Sequence, residues 1–265
     1  MFKKVALGLN IDHIATLREA RKINYPDPLE AVFIAKNCGV EQITLHLRED
    51  RRHIQDDDVE RVITSSNIPV NVECSCDEHI VDLLCELKPF KITLVPEKRE
   101  ELTTEGGLNM RSQNIKEIIE EFNARKIFVS TFIDPELESI ELSKQYGALG
   151  VELHTGEYSN IYEAIYSNIE RTHNALNYLT LTHEELESKL SDSIQALSSC
   201  AKIAKELGLG VFAGHGLNYQ NVKSIVEIPH ISELNIGHSI ISRAVMVGLE
   251  RAIRDMQGLL FRQID

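Results

Sequence analysis

Positive charge is what this chain is short of: 28 lysines and arginines stand against 41 aspartates and glutamates, a formal net charge of −13. Nucleic acid and anionic membrane surfaces both need a basic face, so neither is an expected partner. An anionic ligand has to be held by a local cluster working against the overall field. Long apolar runs are missing as well. The opening Met1-Phe2-Lys3-Lys4-Val5 imitates a signal peptide only briefly, because Asn10 and Asp12 cut its apolar stretch, and no run is long enough to span a bilayer. The five cysteines are odd in number and have no framework spacing. Cys74-Ser75-Cys76 is too tight for a zinc knuckle and no second pair follows it. Free thiols in a reducing compartment are expected, and with them a cytoplasmic location.

Several chemical signatures are absent too. There is no His-Glu-x-x-His, and the first strand does not end in the His-x-His that a metallohydrolase barrel would use. No lysine sits at a strand end among apolar neighbours, which argues against a Schiff-base aldolase. No Gly-x-Gly-x-x-Gly follows a strand, so nothing points to a dinucleotide. The expectation is chemistry without metal or organic cofactor. Two other classes stand as alternatives: a metal-dependent barrel hydrolase using Asp12, His13, His154 and His215, and a non-catalytic barrel that binds phosphorylated metabolites.

What is present is one theme repeated. Residues 5–11 read as a strand with Gly8, Asn10 and Asp12 on its inner face, and Arg18 and Arg21 follow in a polar connection. Asp27-Pro28-Leu29-Glu30 carries the marks of a helix start. The stretch 42–47 alternates, with Ile43, Leu45 and Leu47 on one face and Thr44, His46 and Arg48 on the other. Further strands are expected at 69–73, 90–95, 127–133, 149–154, 210–213 and 233–236. Helices are expected at 56–66, 77–87, 115–125, from 134 to about 147, at 218–227 and at 239–260. Eight strand-then-helix units with short strands rich in Val, Ile and Leu predict an α/β fold, a closed (β/α)8 TIM barrel of parallel strands. No linker or composition shift divides it, so residues 1–265 are expected to form a single domain. The sixth connection, between His154 and His215, is too long for one helix. Helices at 158–179 and 182–207 would fill it, one of them extra, giving an insertion at about 157–190.

The chemistry collects at the ends of the strands. Asn10, Asp12, His46, Arg48, Glu73, Thr103, Glu152, His154, His215 and His238 all fall at or just past strand C-termini, whereas scattered charge would fall as often at the bottom. Runs such as Asp56 to Asp58 fit solvated faces. Gly214-His215-Gly216 and Gly237-His238-Ser239 would bring bare backbone amides to helix N-termini, where an anion is favoured. Arg48 with His53, joined by Arg18 or Arg21, could grip a second anion. Glu73, His46 and His215 come from three strands around one mouth and supply the carboxyl and imidazoles that serial proton transfers near neutral pH require. For any one of these three alone, a hydrogen-bonded structural role competes.

Seven stretches also carry a resemblance. Asn10-Ile11-Asp12-His13-Ile14-Ala15-Thr16-Leu17-Arg18, His46-Leu47-Arg48-Glu49-Asp50-Arg51-Arg52-His53-Ile54, Leu94-Val95-Pro96-Glu97-Lys98-Arg99 and Thr103-Thr104-Glu105-Gly106-Gly107 are four of them. Glu152-Leu153-His154-Thr155-Gly156, Ala213-Gly214-His215-Gly216-Leu217 and Asn235-Ile236-Gly237-His238 complete the set, in order and nearly end to end. Together they closely resemble the pyridoxine 5'-phosphate synthase family. The resemblance implies the ring-closing step of vitamin B6 synthesis. In that step 3-amino-2-oxopropyl phosphate condenses with 1-deoxy-D-xylulose 5-phosphate to give pyridoxine 5'-phosphate, phosphate and water. It also implies a homo-octamer of barrels with no metal or organic cofactor. Matched by position, His46 and Glu73 would accept protons and His215 would donate one. Asn10, Arg21, Gly216, Gly237 and His238 would hold the amino ketone phosphate. Asp12, His13, Arg48, His53 and Thr103 would hold the deoxyxylulose phosphate, with Glu152 as a secondary candidate. The 96–107 loop is the expected lid. The long segment between His154 and His215 departs from the family pattern.

Overall fold

The computed structural model describes residues 2–97, 106–112, 114–175 and 181–263. A short strand β1 (Phe2–Lys4) leads into eight parallel strands that close on themselves in chain order. These are β2 (Ala6–Asn10), β3 (Gln42–His46), β4 (Val70–Cys74), β5 (Lys91–Leu94), β6 (Phe128–Ile133), β7 (Gly150–His154), β8 (Gly210–Gly214) and β9 (Glu233–Ile236). Closure comes from β9 against β2, with Ala6 opposite Glu233 and Gly8 opposite Asn235, so the barrel has no open edge. The architecture is the TIM barrel that the repeated units predict.

Alternation along each strand sorts the side chains. Leu7, Leu9, Ile43, Leu45, Val72, Ile92, Val151 and Leu234 are fully buried and belong to the continuous apolar layer shared with the surrounding helices. The intervening residues fill the barrel, and they are polar rather than branched aliphatic. Thr93 Oγ1 donates to Asn71 Oδ1 at 2.9 Å, Thr44 Oγ1 to Asn235 Oδ1 at 3.0 Å, and Asn235 Nδ2 to Glu152 Oε2 at 2.6 Å. At the floor, Lys91 Nζ lies 2.7 Å from Glu233 Oε1 and 3.6 Å from the centre of the Phe212 ring. Charge is therefore present at the bottom of the strands too, contrary to the expectation, but there it is paired and buried.

The first connection departs from the sequence reading. Asp12 does not extend the strand; it opens helix α1 (Asp12–Glu19), where its carbonyl accepts from Thr16 Oγ1 at 3.3 Å. Arg18 belongs to this helix and not to a polar connection. Helix α2 (Pro28–Asn37) begins as expected, with the Asp27 carboxylate accepting from the Leu29 amide at 2.9 Å and Pro28 in the first turn. Helices α3 (Asp56–Ser65), α4 (Glu78–Leu87), α5 (Ile115–Ala124) and α6 (Leu137–Gln145) follow their strands.

Between β7 and β8 the chain forms α7 (Gly156–Tyr166), a 3-10 turn at Ile169–Arg171 and the long α8 (His183–Glu206). Thr182 and Glu185 cap α8 reciprocally, each side chain accepting from the other's amide. Helix α9 (Val222–Val226) is shorter than expected because Asn218 folds its side chain back onto the Gln220 and Asn221 amides. The single last helix expected at 239–260 is two, α10 (His238–Val247) and α11 (Leu249–Gln257). Gly248 separates them at φ 87° and ψ 150°, a conformation outside any helix and open to glycine alone at low cost. Strand β10 (Phe261–Gln263) then pairs antiparallel with β1, a two-stranded sheet the sequence reading missed. Among the described residues no helix is long and apolar enough to cross a membrane.

Candidate active site

Three groups of side chains meet at the C-terminal mouth of the barrel. The first is built on β3 and β4. His46, the last residue of β3, stands between two carboxyls: its Nε2 is 2.8 Å from Glu97 Oε1 and its Nδ1 is 3.9 Å from Glu73 Oε2. Glu97 also accepts the Glu49 amide at 3.0 Å. Burial pushes the Glu97 carboxyl up, but the hydrogen bond and charge of His46 and the Glu49 amide hold it below its usual range. Glu97 is thus an ionised acceptor, and the hydrogen of His46 sits on Nε2. Its Nδ1 is turned toward Glu73 on the mouth side, where a general base would meet a substrate. Glu73 is different. Burial, with Glu152 and Asp12 adding like charge, holds its carboxyl well above the ordinary range. One imidazole and one protonated carboxyl 3.9 Å apart are chemically able to exchange protons with a ligand at the mouth.

Asp12 completes this group from the first turn of α1. Its Oδ1 accepts from the His46 amide at 2.8 Å and its Oδ2 from Asn10 Nδ2 at 2.9 Å. Among the described residues, Asp12, His46 and Glu73 are the one group whose ligating atoms lie close enough to share a cation, within 4.8 Å of one another. Both Asp12 oxygens are already engaged, and the Arg48 cation acts on Glu73. The donor set therefore fits proton transfer better than metal binding. It is also a different set from the one weighed for a hydrolase. His13 follows Asp12 along α1 instead of pointing to the opposite face of a strand.

The second group lies across the mouth on β6, β7 and β8. His215 follows β8 on a backbone at φ 83°, and burial, helped by His154, lowers its imidazole to about 4. At neutral pH it carries no imidazolium charge. The His154 ring lies 5.1 Å from that of His215, with Phe132 packed at 5.0 Å from His154. Glu152, a buried residue of β7, points into the barrel, where burial raises its carboxyl to about 7.

The third group joins β2 to β9. Gly237 packs directly on Asn10, and the rings of His13 and His238 are 4.9 Å apart, so both substrate sets proposed from sequence meet here. Gly237 caps α10; its carbonyl takes the Ile240 amide at 3.0 Å, which leaves the His238 and Ser239 amides at the helix start for an anion. Gly216 is not at a helix start. It lies six residues before α9, in a loop held by Asn221 Nδ2 donating to its carbonyl at 3.0 Å. Ser239 Oγ donates to the Leu217 carbonyl at 2.8 Å and ties this loop to α10, a link invisible in the sequence.

The proposed second anion site is also rearranged. Arg48 acts electrostatically on Glu73, Glu97 and His53. His53 accepts the Ile54 amide on Nδ1 at 2.8 Å, and burial holds it below the usual imidazole range, so it offers Nε2–H as a neutral donor. Arg18 does not join them. It grips Asp58 with two bonds of 2.7 Å and donates to the His53 carbonyl at 3.1 Å. Asp58 is accordingly no solvated helix charge, but a buried anchor that also accepts from the Gln55 amide. Arg21 is exposed in the turn after α1 and, among the described residues, makes no side-chain hydrogen bond or ion pair. Thr103 and most of the expected 96–107 lid lie outside the described residues. Sequence reasoning missed Glu97 as the partner of His46; its place just past β5 was the available signal.

A family model described as pyridoxal phosphate biosynthesis protein PdxJ matches residues 7–262. The chain belongs to this family. Among curated PdxJ-family relatives, the pyridoxine 5'-phosphate synthase of Wolinella succinogenes is 58% identical over 97% of this chain and 98% of its own. That of Helicobacter hepaticus is 57% identical over 96% and 97%. The chain is therefore an enzyme of the pyridoxine 5'-phosphate synthase family. Solved structures show the same barrel at low identity. Phosphoribosylanthranilate isomerase from Thermotoga maritima aligns with TM-score 0.55 at 11% identity, covering 96% of this chain and 99% of that one. Tryptophan synthase from Mycobacterium tuberculosis aligns with TM-score 0.60 at 10% identity, over 97% and 93%.

Proposed function

We propose that this PdxJ-family chain condenses 3-amino-2-oxopropyl phosphate with 1-deoxy-D-xylulose 5-phosphate to form pyridoxine 5'-phosphate, by acid–base catalysis without metal or organic cofactor. The observation that carries this reading is His46, oriented by Glu97 and facing Glu73, on the same mouth as a neutral, half-buried His215. The amine adds to the ketone, and a first water leaves as the imine forms. His46 then takes a proton to give the enamine, whose electron pair expels the hydroxyl on the adjacent carbon as a second water. The conjugated enamine so formed expels inorganic phosphate from the deoxyxylulose portion, and a water adds to the carbon that the phosphate leaves. A carbon nucleophile closes the ring onto the remaining carbonyl, and loss of one more water with a last proton removal makes it aromatic. Because His215 starts uncharged, the proton it hands to a departing oxygen is one it has first taken from substrate.

Asn10, Arg21, Gly216, Gly237 and His238 would hold the amino ketone phosphate. Asp12, His13, Arg48, His53 and Thr103 would hold the deoxyxylulose phosphate, with Glu152 beneath the reacting atoms. A cytoplasmic homo-octamer is part of the same proposal. The test is to mix both phosphorylated substrates with the protein and follow pyridoxine phosphate by absorbance. Full turnover after exhaustive chelation supports the metal-free route. Loss on chelation with recovery by zinc or manganese would replace it with metal-dependent catalysis.

A further inference from the structure

His154 and Asp134 have no part in the chemistry above, yet they are built around His215. We propose that Asp134 and His154 form a positioning pair that holds the His215 imidazole in its working orientation, an inference that rests on His215 being the proton donor. The geometry begins at the ends of two neighbouring strands. His154 closes β7, Asp134 follows β6, and His154 Nδ1 lies 2.9 Å from Asp134 Oδ1. The His154 hydrogen bond, with help from the Gly107 amide, holds the Asp134 carboxyl below its usual range, so Asp134 accepts and the hydrogen resides on His154 Nδ1. Asp134 thereby fixes both the tautomer and the plane of the ring.

The other nitrogen, Nε2, is buried without a hydrogen-bond partner among the described residues. It faces the side where His215 sits. A Cβ added to Gly156 would overlap His154 Nε2 and lie 3.1 Å from His215 Cδ2, so both rings pack over the same bare Cα. The two rings meet edge to face at 63°, and Phe132 leans on both. His215 needs such support. It stands at positive φ between two glycines, a backbone that non-glycine residues rarely adopt and that does little to fix a side chain. The end of β7 grips it twice: Thr155 Oγ1 donates to the His215 carbonyl at 2.6 Å, and His154 flanks its ring.

A double-mutant cycle on the full-length enzyme tests this, with turnover read at saturating concentrations of both substrates. His154→Asn and Asp134→Asn are each expected to lower kcat by about tenfold or more, up to the roughly hundredfold that a misplaced catalytic group costs, with KM values little changed. In a His215→Asn background neither should cost anything further, because a residue that works through His215 has nothing left to position. Additive losses, with His215→Asn itself slow, would overturn the positioning role and leave the assignment of His215 standing. Near wild-type turnover of His215→Asn would overturn both. Should His154→Asn fail to fold, Asp134→Asn completes the cycle alone, since it releases the tautomer without removing a ring. His154→Phe restoring full turnover would reduce the pair to packing and likewise overturn the proposal.

Discussion

At the scale of single residues, environment assigns the roles. Two carboxyls near His46 behave oppositely: hydrogen bonds hold Glu97 low, whereas burial and the like charges of Glu152 and Asp12 outweigh Lys91 and Arg48 and hold Glu73 high. Glu97→Gln should cut turnover by roughly a hundredfold, the low end for one acid–base group, because the amide no longer fixes the His46 tautomer. Steady-state kinetics with unchanged substrate affinity would bear this out, and an unchanged kcat would make Glu97 a bystander. His215→Asn should leave folding intact and lower turnover at least about a hundredfold. A thermal melt beside the assay separates a lost donor from a lost fold. Glu152 gives a stability test. Burial raises its carboxyl from 4.5 to about 7, so the folded chain keeps a proton that the unfolded chain releases. Its contribution favours the fold below about pH 4.5 and is lost as pH rises through about 7. His215, lowered from 6.5 to about 4, acts in the opposite sense, so the variant must be compared with the parent. The melting temperature of the parent relative to Glu152→Gln should fall as pH is raised across 4.5 to 7. A flat difference would mean that Glu152 is ionised in the fold.

At the scale of elements, α1 and α3 are clamped across the mouth by one ion pair. Arg18 on α1 holds Asp58 in the first turn of α3 and, through the His53 carbonyl, the loop that carries Arg48 and His53. Removing one partner of such a buried pair leaves the other uncompensated. Asp58→Asn should therefore destabilise the chain by about 3 kcal/mol or more and weaken deoxyxylulose phosphate binding without touching that ligand. Denaturant unfolding and calorimetry measure the two effects. Neither changing would mean that the clamp is solvated. The break at Gly248 is an element-scale feature of the same kind. No hydrophobic pattern signals it, because α10 and α11 are each good helices and only the backbone between them is not.

At the scale of the molecule, the two proposed anion sites stand on different parts of the barrel. One would use backbone amides at the start of α10 beside Asn10, and the other Arg48 and the neutral His53 beyond β3. The first should hold the phosphate that stays on the product, with little dependence on any one side chain. The second should stabilise the growing charge of the leaving phosphate and then let it go. Arg48→Ala should weaken deoxyxylulose phosphate binding by roughly 2–3 kcal/mol and slow turnover, yet hardly alter affinity for the amino ketone or for pyridoxine phosphate. Titration of each ligand against the variant decides it. Equal weakening of all three would mean one shared phosphate pocket.

The barrel itself was legible in the chain. Strand alternation and helix caps are local, repeated eight times, and independent of what each element finally packs against. The same alternation puts His46, Glu73 and Glu152 on the inward faces of their strands. What the chain alone could not decide were pairings between residues far apart in sequence. Asp58 looked like surface charge and Arg18 like part of an anion grip, and each became buried because the other arrived. Lys91 and Glu233 meet only when the barrel closes, as do β1 and β10. Protonation was out of reach for the same reason. His46, His53, His154 and His215 are chemically identical in the sequence. Only the tertiary structure, through burial and contacts, sets one against Glu97, one on the Ile54 amide, one against Asp134 and one over Gly156.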